Sequence, residues 1–145
     1  MVNFTGEKLS ESQVIAAVDD ALNDRRGSYE FIAAVGEVQG DKPRYTFLCE
    51  FDDPVTPTEG SVMLSGIEQS LRESNQEYAA KRDSLRVGSP VLRVIKPGAF
   101  TAYRTREVNK GRGDGQFKIL RLTTDTEFAD EFAVAHEVEG TAGAQ

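Results

Sequence analysis

A glycine-rich stretch with several basic side chains is the part of this sequence best suited to bind an anion. The stretch reads "NKGRGDGQFKILR" and spans residues 109–121. Its glycines are Gly111, Gly113 and Gly115, and its basic residues are Lys110, Arg112, Lys118 and Arg121. Such a loop can present backbone N–H groups and positive charges to a phosphate or a carboxylate. A flexible, solubilising loop is an equally good interpretation. The stretch follows a predicted helix and lacks the spacing G-x-x-x-x-G-K-[ST], which excludes a P-loop and a dinucleotide fingerprint.

A second candidate is the lysine that precedes the first predicted helix. Lys8 lies two residues before Ser10, which is predicted to be the helix N-cap, with Gln13 completing a capping box. A positive charge near a helix N-terminus opposes the helix dipole and costs roughly 0.3–1 kcal/mol at an exposed site. Either Glu7 and Glu11 neutralise that charge, or Lys8 and the N–H groups of the helix start face an anion together. The residues alone leave both explanations open.

The sequence lacks the residues of the common catalytic and metal sites. It contains one cysteine, Cys49, and one histidine, His136. Cys49 falls on the apolar face of a predicted strand, which favours a buried structural thiol over a nucleophile. His136 lies in a predicted tail, and without a second histidine or cysteine there is no Ser–His, Cys–His or zinc constellation. We therefore predict no metal site in this chain.

Length and composition indicate one globular domain. The chain has 145 residues, of which 39% are hydrophobic and 28% charged. Its net charge of −7 argues against binding nucleic acid through bulk electrostatics. No apolar run approaches the roughly 20 residues that span a bilayer, and no signal peptide is visible. We expect a cytoplasmic protein without a nucleic-acid or membrane partner.

The periodicity of the apolar residues predicts three helices, a hairpin and two further extended segments. In chain order they are a helix over residues 10–26, the hairpin strands "YEFIAAVGEV" and "RYTFLCEF", a helix over 58–82, a strand over 89–97, a helix over 99–110 and an extended segment over 116–122. The second hairpin strand has one clear core face, formed by Tyr45, Phe47, Cys49 and Phe51. A domain of residues 1–128 is then followed by a predicted disordered tail, 129–145. The order helix–hairpin–helix–strand–helix–strand predicts an α+β fold in which helices cover a mostly antiparallel sheet.

Four segments resemble, in the right order, the C-terminal domain of the auxin-responsive acyl-acid amido synthetases. "NFTGEKLSE" resembles the segment that opens that domain, and "PVLRVIKPGAFTAY" is similar to its strand, Gly-x-Phe and helix, with Gly98 and Phe100 in place. "KGRGDGQFKILR" resembles its closing glycine-rich loop with Gln-x-Lys-x-x-Arg. The helix "IEQSLRESNQEYAAKR" is similar to the family pattern at Glu68, Leu71, Asn75, Tyr78 and Arg82. The segments cover residues 2–122. Many plant relatives have proline where this chain has Leu120, and the chain is identified as a relative of the bacterial type.

This resemblance implies part of an ATP-dependent ligase. Enzymes of the family are adenylate-forming: they activate a carboxylic acid with ATP and Mg²⁺ as an acyl-adenylate and pass the acyl group to an amine, commonly an amino acid. A large N-terminal adenylating domain holds most of the nucleotide and acid site, and a small C-terminal domain swings over it between half-reactions. The chain resembles that small domain alone. We therefore expect it to be monomeric, to be inactive without its N-terminal domain and to hold neither ATP nor Mg²⁺ by itself.

The resemblance also implies roles for individual residues. Lys8 would be the hinge-proximal lysine that meets the nucleotide phosphates on closure, a role suited to a side chain that stays charged at neutral pH. Lys118 is the second candidate for approaching the nucleotide or the amine. Gly6 lies beside the hinge, where the backbone must absorb large changes in φ and ψ. Contacts to the nucleotide are implied for Arg112, Gly113, Gln116 and Arg121. The structural interpretation is preferred for Asn75, Tyr78 and Arg82, which share one helix face, and for Phe100 in the core.

Two other classes of function are compatible with the residues. One is a self-contained regulatory module that binds a small ligand or an anion, since an α+β fold does not by itself decide function. The other is a purely structural interaction domain. The ligase hypothesis predicts a gene that continues upstream with a large nucleotide-binding domain. The module predicts a measurable ligand affinity for the isolated chain, and the interaction domain predicts a stable oligomer.

Overall fold

A computed structural model describes residues 10–21, 29–39, 42–111, 120–123 and 126–139 of the chain. Within these residues there are five helices and five strands. The helices are α1 (Glu11–Ala21), α2 (Pro57–Ser74), α3 (Gln76–Asp83), α4 (Ala99–Asn109) and α5 (Thr126–Ala129). The strands are β1 (Tyr29–Gln39), β2 (Lys42–Phe51), β3 (Val91–Ile95), β4 (Leu120–Thr123) and β5 (Val134–Glu139).

The strands form one mixed sheet in the order β4-β1-β2-β3-β5. The pairs β1–β2 and β3–β5 are antiparallel and contain most of the paired residues. The pair β2–β3 is parallel, because the connection through α2 and α3 returns the chain to the end of the sheet where β2 begins, and β4 also runs parallel to its neighbour β1. The predicted α+β class with a mostly antiparallel sheet covered by helices is confirmed.

Helices cover both faces of this sheet and create two hydrophobic cores. The larger core joins α1, α2 and α3 to one face, through residues that include Val14, Val18, Leu64, Ile67, Leu71 and Tyr78. The smaller core joins α4 and α5 to the opposite face, through Phe31, Ala33, Val35, Leu48, Ile95, Phe100, Tyr103, Ala129 and Phe132. The sheet is therefore the middle layer of a three-layer arrangement, and the burial of Phe100 agrees with its predicted place in the core.

The central strand β2 is buried on both sides, which the alternating pattern did not indicate. Tyr45, Phe47 and Cys49 lie in the larger core as expected, but Leu48 lies fully buried in the smaller core on the opposite face. The prediction of a single core face was therefore incomplete. Burial raises the pKa of the Cys49 thiol, which consequently stays protonated at neutral pH. This agrees with the predicted structural role of the thiol.

The predicted helix over residues 58–82 is divided at Asn75. The backbone of Asn75 is extended, with φ −141° and ψ 99°, which ends α2 and begins α3. The Asn75 side chain then accepts a hydrogen bond from the Tyr78 N–H at 2.9 Å, as an N-cap does. Apolar periodicity continues across the break, so the pattern alone could not reveal it. None of the described helices has the length and apolar character needed to cross a membrane.

The prediction of a disordered tail over residues 129–145 is wrong for its first part. Residues 134–139 form the edge strand β5, which pairs with β3, so the domain continues past residue 128. The acidic residues of this stretch have basic partners across the sheet, because Arg93 Nε donates to Glu137 at 2.8 Å and Arg44 Nη1 donates to Glu139 at 3.4 Å. His136 belongs to the same strand, opposite Val94, and residues 140–145 lie outside the described residues.

Two glycines of α2 provide a test of how closely α1 packs against it. A Cβ added at Gly66 would lie 3.1 Å from the Ala21 Cβ, whereas one at Gly60 would meet Leu92 and Val138 at an ordinary 3.6 Å. Alanine is favoured over glycine in a helix, so Gly60→Ala is expected to raise the free energy of unfolding by about 0.5–1 kcal/mol. At Gly66 the same gain is offset by overpacking against α1, and we expect a net loss of about 1 kcal/mol. Urea unfolding of both variants measures the difference, and an equal gain at both sites would contradict the close approach.

Candidate functional site

Most of the predicted site residues lie outside the part of the chain that the structure describes. They are Gly6, Lys8, Arg112, Gly113, Gln116 and Lys118. Arg121 belongs to β4, where its backbone pairs opposite Ala33 of β1. The structure does describe the elements that adjoin these segments in the chain, namely the start of α1, the end of α4 and the start of β4, together with the helix ends that hold them in place.

The start of α1 is closed by the predicted capping box. The Gln13 N–H donates to Ser10 Oγ at 3.2 Å, and the Ser10 N–H donates to Gln13 Oε1 at 3.1 Å. This confirms the N-cap that the spacing predicted. The segment that carries Gly6 and Lys8 therefore joins the domain at a helix start where the N–H groups of Ser10 and Gln13 already have partners.

The side chain of Gln13 also ties α1 to the junction between α2 and α3. Its Oε1 accepts a second hydrogen bond from Asn75 Nδ2 at 3.2 Å, and its Nε2 donates to the Ser74 carbonyl oxygen at 3.3 Å. Asn75 thus holds two helix starts at once, since it caps α3 directly and supports the cap of α1 through Gln13. A displacement of α1 would consequently be transmitted to the α2–α3 junction.

A partly buried carboxylate, that of Glu68, organises that junction. Glu68 of α2 accepts a hydrogen bond from the Tyr78 hydroxyl at 2.5 Å and one from Arg82 Nε at 2.7 Å, and Arg72 Nη1 lies 3.8 Å away. Tyr78 is fully buried and Arg82 is 4% exposed. Burial, and then Glu68, raise the pKa of the Tyr78 hydroxyl well above its usual value, so it remains a hydrogen-bond donor. These contacts agree with the structural interpretation of Tyr78 and Arg82.

A tight turn with an unusual residue follows α3. The Leu85 N–H donates to the Arg82 carbonyl oxygen, and the Arg86 N–H donates to the Lys81 carbonyl oxygen, which is the bonding pattern of a Schellman motif. Leu85 occupies the left-handed position of that motif with φ 62°, where glycine is usual. For a residue with a Cβ this conformation costs roughly 1–2 kcal/mol. Leu85 is the one described residue other than glycine with a positive φ, and the residue is 54% exposed.

The start of α4 is occupied by a carboxylate of the protein itself. Glu50, at the end of β2, accepts hydrogen bonds from the Gly98 N–H at 2.9 Å and from the Phe100 N–H at 2.8 Å. Gly98 is the N-cap residue and has φ 88°, a conformation that explains glycine at this position of the family pattern. Helix N-termini often bind phosphate, but here the negative charge comes from Glu50, which is 5% exposed. The N-terminus of α4 is therefore not available to an external anion.

The other end of α4 leads into the glycine-rich stretch. The helix ends at Asn109 with Lys110 as its C-cap, and Gly111 has φ 98°, which turns the chain away from the helix. The chain is described again from Leu120, where β4 pairs with Ile32 of β1. One face of α4 borders a cavity of about 340 Å³, lined by Thr101, Arg104, Thr105, Val108 and Asn109. The glycine-rich stretch is thus attached at one end to this helix and at the other to the edge of the sheet.

The described residues offer no site for a metal ion. No group of three or more His, Cys, Asp or Glu side chains among them could hold one. His136 has a buried Nε2 for which no hydrogen-bond partner occurs within the described structure, and it forms no cluster with other metal-binding side chains there.

Sequence reasoning missed the long-range roles of Gln13 and Glu50. The capping-box spacing revealed the local bond of Gln13 but not its contacts with the α2–α3 junction. Glu50 is an acidic residue between Cys49 and Phe51 in a predicted strand, but its residue type does not show what it contacts. Its partners lie almost fifty positions further along the chain, so only the topology could identify them.

Together these features define a class of domain: an α+β fold in which helices cover both faces of one mixed sheet. The model of the GH3 family C-terminal domain matches residues 12–127. The chain therefore belongs to the GH3 family, as its C-terminal domain, and the resemblance drawn from the sequence motifs is confirmed. A search of curated proteins gave no match.

Solved structures show the same fold. A structure described as "GH3.15 acyl acid amido synthetase" superposes with a TM-score of 0.75 at 20% identity, covering 97% of this chain and 26% of that chain. A second, described as "AtGH3.15 acyl acid amido synthetase in complex with 2,4-DB", gives a TM-score of 0.71 at 21% identity, covering 88% of this chain and 24% of that one. This chain thus spans about a quarter of the length of those proteins.

Proposed function

We propose that this chain acts as the mobile C-terminal domain of an ATP-dependent acyl-acid amido synthetase. The enzyme activates a carboxylic acid as its acyl-adenylate and transfers the acyl group to an amine, an amino acid being the expected acceptor. The observation that carries this proposal is the family match over residues 12–127. The isolated domain is inactive in this proposal, because a larger N-terminal adenylating domain supplies most of the nucleotide and acid site.

The attachment of α1 supports a swinging motion of the domain as one body. A hinge moves a domain efficiently only when the first element after it is fixed to the rest. Gln13 provides that connection, because it bonds to Ser10 at the helix start and to Ser74 and Asn75 at the α2–α3 junction. A backbone rotation near Gly6 would therefore turn the whole domain and not α1 alone.

The proposed contacts to the substrates come from two segments. Lys8 enters the site on closure and offsets the negative charge that develops on the phosphates of ATP, while Lys118 approaches the nucleotide or the amine. Further contacts to the nucleotide are assigned to Gly6, Arg112, Gly113, Gln116 and Arg121. Glu50 occupies the start of α4, so in this proposal the phosphates are bound by these segments and not by that helix end. The N-terminal domain supplies the ligands of the Mg²⁺ that accompanies ATP.

The test uses the full-length protein that contains this domain. Lys8→Ala is expected to slow acid-dependent pyrophosphate exchange from ATP by about 100-fold, roughly 2.7 kcal/mol of transition-state stabilisation. Lys118→Ala is expected to slow amide formation more than pyrophosphate exchange. Lys96→Ala is a matched control, since Lys96 is exposed and belongs to neither segment. Thermal melts verify that each variant is folded.

Each alternative function gives a different result. If the full-length wild type shows no acid-dependent exchange and the isolated chain binds a small anion, a regulatory module replaces the ligase. If the wild type is active and Lys8→Ala is as fast as Lys96→Ala in both assays, the role of Lys8 is wrong while the ligase proposal stands. We also propose that the protein is a cytoplasmic monomer, since contacts between moving domains are modest and polar.

A further inference from the structure

Leu85 has a backbone conformation that is unfavourable for a residue with a Cβ. Its φ is 62° at the position where a Schellman motif favours glycine, and 54% of the residue is exposed. Glycine at this position would relieve the backbone and would give up only the contacts of the part of Leu85 that is buried. Backbone strain of this kind is found most often where a side chain has a function.

The turn that carries Leu85 is held rigidly from inside the domain. Arg82 Nη1 donates to the Val87 carbonyl oxygen at 3.4 Å, and the same side chain is anchored by Glu68. Val87 is fully buried, and the Gly88 N–H donates to the Pro43 carbonyl oxygen at 2.7 Å, which fixes the turn to the start of β2. The exposed leucine is therefore pre-organised, so little conformational entropy would be lost if it bound a partner.

We propose that Leu85 is a docking residue that inserts into an apolar pocket of the large N-terminal domain when this domain closes. This inference rests on the proposed function. The N-terminal domain is the proposed partner, because this chain spans only 26% of the length of a structurally similar synthetase. Most of the surface of the full-length protein would therefore belong to the other domain. Arg86, also exposed, lies beside Leu85, and the pocket is expected to have an acidic rim.

The small size of the contact favours a domain of the same polypeptide over a separate protein. One leucine buries far less than the roughly 800 Å² per partner that stable complexes use. A tethered domain has a high effective concentration, so a small contact suffices and can be broken again in every cycle. A second copy of the chain would require a larger apolar surface around Leu85.

The experiment compares three variants of the full-length protein. Leu85→Gly removes the side chain and relieves the backbone, Leu85→Met keeps an apolar side chain, and Val62→Ala shortens another exposed apolar side chain as a control. Leu85→Gly is expected to slow amide formation about tenfold, the effect of losing a buried leucine contact. Leu85→Met is expected to restore at least half of the wild-type rate, and Val62→Ala to stay within about twofold of it.

Thermal unfolding separates docking from a structural role. Leu85→Gly is expected to melt at the wild-type temperature or about 2–4 °C above it, since strain is removed. A lower melting temperature, or an unchanged rate in an otherwise active enzyme, would overturn the docking role and leave the proposed function intact. A wild type without acid-dependent pyrophosphate exchange would instead refute the proposed function, and the docking role with it.

Discussion

Glu68→Ala is expected to lower the free energy of unfolding by about 3–5 kcal/mol, the usual effect of removing one partner of a buried ion pair. The Arg82 guanidinium is nearly inaccessible to water and would keep one described partner, the Val87 carbonyl oxygen at 3.4 Å. The Tyr78 hydroxyl, also buried, would lose the carboxylate to which it donates. One substitution removes both hydrogen bonds, since Glu68 Oε1 accepts from the Tyr78 hydroxyl and Glu68 Oε2 accepts from Arg82 Nε.

Urea unfolding of the variant measures this effect, and the same helix provides the control. Glu73 is an exposed glutamate of α2 that accepts a single hydrogen bond from Gln69, so Glu73→Ala is expected to change the stability by less than about 0.5 kcal/mol. Glu68→Gln should fall between the two, because the amide can still accept one hydrogen bond but leaves the guanidinium charge unpaired. A loss below about 1 kcal/mol for Glu68→Ala would mean that water or another acceptor reaches Arg82, and the assignment of Glu68 as the organiser of the junction would then be wrong.

Glu50→Ala is expected to lower the free energy of unfolding by about 3 kcal/mol or more, since hydrogen bonds to a charged group contribute roughly 1.5–3 kcal/mol each. The substitution removes the acceptor of the Gly98 and Phe100 N–H groups at the start of α4. Gly98 has no side chain with which to cap the helix, so no local acceptor replaces Glu50. The favourable interaction between the carboxylate and the helix dipole is lost as well.

Two measurements distinguish this cap from a general effect of removing an acidic residue. Asp53→Ala removes an exposed carboxylate close to the same strand end and is expected to be almost neutral. In Glu50→Ala, amide hydrogen exchange should accelerate at Gly98 and Phe100 more than in the middle of α2. Unchanged protection at these two amides would show that Glu50 does not hold the helix start.

The parts of the fold that could be predicted from the sequence are those decided by neighbouring residues. The capping box of Ser10 and Gln13, the hairpin and the extent of α4 all depend on local spacing, and all three agree with the structure. The break at Asn75 was missed, because a single side-chain cap interrupts a helix whose apolar periodicity continues on both sides. The strand β5 was missed because its acidic residues become favourable only beside Arg93 and Arg44, which lie far away in the sequence.

In the candidate site, too, features set by neighbouring residues could be predicted, whereas features set by the backbone conformation or by distant contacts could not. The motifs around Gly98 and Phe100 and around Asn75, Tyr78 and Arg82 were sufficient to recognise the family, and the structure explains most of them as supports of helix ends. Leu85 and Glu50 belong to no motif that local reasoning could detect. The significance of Leu85 depends on a backbone angle, and that of Glu50 on a contact between β2 and α4. Residue types alone carry neither kind of information.

The position of β4 has a consequence for the order in which parts of the domain open. β4 is four residues long, and within the described structure β1 is its one strand neighbour, whereas β1 and β2 are paired along most of their length. Regions with few long-range bonds detach at free energies far below that of global unfolding. We expect β4 to separate from the sheet as a local unit while both cores remain packed, and to rejoin it late when the chain refolds, since its pairing with Ile32 closes a very long loop. The end of the domain that receives the glycine-rich stretch is thus its least cooperative part.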